Sequence, residues 1–204
     1  MKNAARAASS RQQGGFTLIE VLVAMTLMAL VSVMAWRGLD QIVHVRERID
    51  EQAQDNDMIA RALGQIERDL EQAYTDAPRP APPAGALPGG IQVLKDRNAP
   101  MLNIVRAAPG LPGQWQRVIW QLRPDGLWRR AGAPGSRYPL PDPQTGGLVM
   151  PGVTALQLRA WLPGRGWMAL PSTDLPLAVA GLDVALTRQR QGRPEQYNRI
   201  VLLP

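Results

Sequence analysis

One carboxylate stands inside the most apolar stretch of this 204-residue chain. From Phe16 to Trp36 the sequence reads FTLIEVLVAMTLMALVSVMAW, 21 residues whose single charge is Glu20. An acidic side chain at the centre of a membrane helix costs about 2.5 to 3.5 kcal/mol on insertion scales, so Glu20 requires compensation. Near a helix start the carboxylate can reach water and headgroups, and the positive end of the macrodipole favours an anion.

Other chemistry is sparse. The chain has no cysteine and one histidine, His44. Thiolate nucleophiles, disulfides and cysteine-bound zinc are therefore excluded, and His44 has no second ligand of its kind. No G-x-S-x-G, Walker or H-E-x-x-H signature occurs. Asp55, Asn56 and Asp57 fall within a helical pattern, where neighbouring side chains diverge, so they do not form a calcium loop. The chain reads as a protein that is not an enzyme, with no cofactor and no metal. The formal charge is +6, but the cations are scattered arginines, and Lys2 and Lys95 are the only lysines. Without a basic run or a recognition signature, this excess predicts a solvated surface and no nucleic-acid partner.

The elements that must position Glu20 follow from the pattern around it. Residues 1–15 carry Lys2, Arg6 and Arg11, no acid, and end in Gly14-Gly15. A helix over 16–36 is about 30 Å long, the hydrocarbon thickness of a bilayer. A secretory signal would have a shorter apolar core followed by a small-residue cleavage site. Lys and Arg near the span number three on each side (Lys2, Arg6, Arg11; Arg37, Arg46, Arg48), so the positive-inside rule does not orient it.

Helical periodicity continues over 37–76. Ile59, Leu63, Ile66, Leu70 and Ala73 form one apolar stripe. It covers about two heptads, short of a coiled coil, and predicts packing against a sheet. The segment 47–57 is polar apart from Ile49 and Ala53, and Gly38 and Gly64 are candidate bends or close approaches.

Residues 77–90, with five prolines and three glycines, must be a loop. Short alternating runs then predict strands at 91–95, 101–106, 117–123, 127–130, 153–162, 167–170, 177–188 and 196–203. Turn chemistry at Pro124-Asp125-Gly126, Pro163 to Gly166 and Gln191 to Pro194 predicts hairpins, with 131–147 irregular. Trp115, Trp120, Trp128, Trp161 and Trp167 are candidate core anchors; a sugar-binding platform is the other use of such residues. The expected fold class is α+β: a long N-terminal helix, transmembrane in its first half, packed on an antiparallel β-rich domain over 91–204.

Gly15-Phe16-Thr17-Leu18-Ile19-Glu20, after a short basic leader and before an unbroken apolar helix, resembles the type IV prepilin processing signal. The resemblance implies cleavage after Gly15 by a prepilin peptidase/methyltransferase, methylation of the new terminus at Phe16, and pairing of Glu20 with the N-terminal amine of a neighbouring subunit. It also implies a cytoplasmic N-terminus, an inner-membrane span and a periplasmic remainder.

Further along, Trp36 to Asp40, Ile66 to Leu70, Gln116 to Trp120, Gly126 to Arg130 and Gly152 to Leu158 resemble the J-type minor pseudopilins of the type II secretion system. That resemblance implies a pilin-like fold and assembly with I-type and K-type minor pseudopilins into the pseudopilus tip, which initiates the filament and supports export across the outer membrane. The loops at 77–90 and 131–147 match poorly, and no role is carried onto them. A minor pilin of a type IV pilus or competence system, and an unprocessed membrane-anchored sugar binder, are the alternatives.

Overall fold

The structure is a computed structural model that describes residues 17–73, 87–96, 99–172, 179–190 and 192–203. Helix α1 runs continuously over Leu18–Glu71. Neither Gly38 nor Gly64 marks a close approach: a Cβ at Gly38 would meet nothing within 4 Å, and one at Gly64 only the Arg68 guanidinium. The chain divides into two compact units, Met1–Ala53 and Gln54–Pro204. In the first, every described residue from 17 to 53 is exposed.

In the second unit the last turns of α1 meet nine strands in two antiparallel sheets, counted among the described residues. The first sheet is a meander, β1 (Ile91–Asp96), β2 (Ala99–Ala107), β3 (Trp115–Arg123), β4 (Gly126–Ala131) and β5 (Thr145–Pro151), adjacent in chain order. The second has the order β7-β6-β8-β9, from β6 (Val153–Leu162), β7 (Gly166–Leu170), β8 (Gly181–Arg190) and β9 (Arg193–Leu202). This is the expected α+β class.

Period-2 alternation gives each sheet its inner face. Leu102, Ile104, Val118, Trp120, Leu127 and Met150 line it in the first sheet; in the second, Leu156 lies opposite Leu186, Leu158 opposite Val184 and Ala160 opposite Leu182. Ile59, Ala62, Ile66 and Leu70 of α1 enter the same core. The stripe therefore packs on sheets, as its short length requires. Burying each such side chain contributes about 1.5 to 3 kcal/mol.

Three features differ from the sequence reading. The helix ends at Glu71, before the expected boundary at 76, because Ala73 forms a bridge with Arg106 and the Ala107 amide donates to the Gln72 carbonyl. A strand, β5, begins inside the expected irregular stretch; its Thr-Gly-Gly start hides the alternation. Of the five tryptophans taken as core anchors only Trp120 is fully buried; Trp161 and Trp167 are an exposed cross-strand pair, edge to face at 5.2 Å. On β6 the inner positions are Leu158, Ala160 and Leu162, so Trp161 must point outward.

The hairpin turns fall where the punctuation placed them. Gly126 is needed for a reason of tertiary origin. Its φ is +142°, and a Cβ there would lie 2.3 Å from the Met150 carbonyl oxygen of β5. The expected start of β8 at residue 177 and most of the 77–90 loop lie outside the described residues.

Candidate functional site

Glu20 sits in the first turn of α1, exposed. Thr17 caps that turn: its backbone amide and its hydroxyl donate to Glu20 Oε2 at 3.0 and 2.9 Å, and the Glu20 amide approaches Thr17 Oγ1 at 3.4 Å. This is a capping box, which satisfies amide groups that a helix start otherwise leaves unpaired. The Thr-x-x-Glu spacing was legible in the sequence, but the reading of Glu20 as a buried charge passed over it. Both donors fall on Oε2, and among the described residues nothing bonds Oε1. Gly15 and Phe16 lie outside the described residues, so only Glu20 of the three expected site residues is placed.

Beyond the cap, Leu18, Ile19, Leu22, Met25, Leu30, Val33 and Trp36 are all more than half exposed. Among the described residues one helix, α1, is long and apolar enough to cross a membrane, with a window of mean hydropathy 2.4 near the N-terminus. A span of this kind is a single-pass membrane anchor. Thr26 and Ser32 donate back to carbonyls one turn earlier, so neither presents an unsatisfied hydroxyl to lipid.

In the second unit α1 carries a set of carboxylates directed at both sheets. Asp69 is fully buried and accepts from Arg129 Nε (2.8 Å) and Nη2 (2.9 Å), Trp120 Nε1 (2.9 Å), Gln65 Nε2 (3.1 Å) and Arg106 Nη1. Burial pushes its carboxyl up, but the Arg129 bonds and charge, with Arg106 and Trp120, outweigh this and hold it below its ordinary value. Sequence reasoning missed this cluster because its members lie 37, 51 and 60 residues from Asp69. Toward the second sheet, Asp55 meets Arg188 Nη1 at 3.1 Å and Arg190 Nε at 3.4 Å, and Glu67 meets Arg199 Nη2 at 2.6 Å. Charge pairs and packing thus fix the end of the helix to both sheets.

Two family models account for nearly the whole chain. The prokaryotic N-terminal methylation motif matches residues 10–36, which take in the apolar first part of α1. The model described as type II secretion system (T2SS), protein J matches residues 37–200, from the end of the span to the last strand. An anchor of the first kind carrying a domain of the second places the chain in the protein J family of the type II secretion system, and it is a minor pseudopilin.

Proposed function

We propose that the prepilin peptidase/methyltransferase cleaves this pseudopilin after Gly15 and methylates Phe16, and that Glu20 then pairs with the N-terminal amine of a neighbouring subunit in the pseudopilus. The observation that carries this reading is Glu20 Oε1, unbonded among the described residues, on a helix whose apolar side chains from Leu18 to Ile49 are exposed. Outside a filament the Thr17 cap and the interface satisfy the carboxylate; inside one, the free oxygen has a cation to meet. In the membrane the N-terminus is cytoplasmic and residues 37–204 are periplasmic. The subunit is structural, not catalytic, and joins I-type and K-type minor pseudopilins at the filament tip, where assembly starts.

The test is the intact mass and N-terminal peptide of the full chain co-expressed with a prepilin peptidase. A chain starting at methylated Phe16, abolished by Gly15→Val, is expected. Glu20→Ala should still be cleaved yet fail to assemble with I-type and K-type partners. An uncut leader beside active peptidase would overturn the processing reading, and normal assembly of Glu20→Ala would overturn the pairing role.

A further inference from the structure

The two sheets have four edges, and three of them are protected. β1 carries Lys95 and Asp96, β9 carries Arg193, Pro194, Glu195 and Arg199, and β7 is only five residues long. Charges, proline and shortness are the usual ways an edge is kept from pairing with another chain. β5, Thr-Gly-Gly-Leu-Val-Met-Pro, is seven residues long, has no charge, has its proline at the last position and is regular over Thr145–Leu148, with a bulge at Val149 confined to its far end. Thr145, Gly146, Gly147 and Leu148 are exposed, and among the described residues no strand lies beyond it. Its outer row of amides and carbonyls is therefore a template for one more strand.

What lies beside that edge narrows the occupant. A groove of about 540 Å³ runs between β5 and α1, with Met58, Val149 and Pro151 as its apolar lining and Arg61, Arg68 and Arg129 as its charged lining. Arg61 and Arg68 are exposed and make no ion pair among the described residues. Asp69 is shared between Arg106 and Arg129, so that cluster retains a positive charge. Asp55 and Glu67 of the same helix are engaged by arginines of the second sheet and do not neutralise the groove.

We propose that β5 is a docking edge that accepts an extended segment of a partner protein by strand addition, and that the segment carries carboxylates at alternate positions. The ladder bonds supply affinity irrespective of sequence, and side chains at period 2 supply the choice of partner. One face of the added strand meets the apolar lining of the groove. Its carboxylates reach Arg61 and Arg68, and charge complementarity of this kind selects acidic over basic segments. The site belongs to the β domain, and neither cleavage at Gly15 nor the role of Glu20 enters into it.

The test is hydrogen–deuterium exchange of the full chain in detergent micelles, with strand-length synthetic peptides of alternating glutamate and valine. The amides of 145–150 that point away from β4 should become slow to exchange only when this peptide is present, while those bonded to β4 are protected throughout. An alternating lysine–valine peptide, and a glutamate–valine peptide N-methylated at every second residue, should each bind about tenfold more weakly. The double variant Arg61→Glu with Arg68→Glu, changed only at exposed helix positions, should lose the preference for glutamate. Equal binding of the N-methylated peptide would overturn strand addition, and equal binding of the lysine peptide would overturn the acidic partner. Protection of the outward-pointing amides of 145–150 before any peptide is added would also sink the proposal: if it is independent of concentration, the chain covers its own edge; if it grows with concentration, a second copy does.

Discussion

Asp69 is the residue on which the attachment of helix to sheet most depends. Its two arginine partners come from β2 and β4 and its indole partner from β3, so one side chain ties three strands to α1. Replacing Asp69 by Asn keeps the shape but leaves two guanidinium groups around a neutral amide, which should cost about 3 kcal/mol in chemical unfolding of the detergent-solubilised chain at neutral pH. The pH dependence has a definite sign. The folded carboxyl titrates below its ordinary value of 3.8, so its contribution is complete above that value and is lost as the pH falls through the lower folded one. The gap between native protein and Asp69→Asn should therefore stay constant from about pH 7 to about pH 5 and narrow progressively as the pH is taken below about 4, and a gap that stays constant through that acid range would deny Asp69 this role.

At the scale of elements, the apolar stripe of α1 and the crossing from β4 to β5 bear most of the packing constraint. Ile66 is 1% exposed within the shared core, and Ile66→Ala should destabilise the domain by about 2 to 5 kcal/mol in the same unfolding measurement. Gly126→Ala puts a methyl group against the Met150 carbonyl at a φ that side chains avoid, and should cost about 1 to 3 kcal/mol. Gly147→Ala, where a Cβ meets nothing within 4 Å, should change stability by no more than about 0.5 kcal/mol and serves as its control. The strands of the second sheet could be read directly because β6 alternates over its whole length. β5 could not, since two glycines carry no hydropathy signal and its partner β4 supplies the reason for the strand.

For the whole molecule, the exposed apolar half of α1 decides where the protein resides. The full chain should stay with membranes through alkaline carbonate extraction, and a chain lacking residues 1–36 should be released; retention of the shortened chain would place the anchor elsewhere. The anchor, the lone carboxylate within it, the break after the helix and the hairpin turns were all legible in the sequence, because each is a local property. Length, hydropathy, proline geometry and period-2 alternation need no distant partner to be recognised. The tertiary structure alone decided that Asp69 is a buried hub, that Trp161 and Trp167 face outward while Trp120 faces in, and that Gly126 exists to let β5 approach. Each of these depends on which distant segments meet, and the free energy that selects those meetings comes from burial and charge pairing summed over the whole fold, which no single stretch of chain contains.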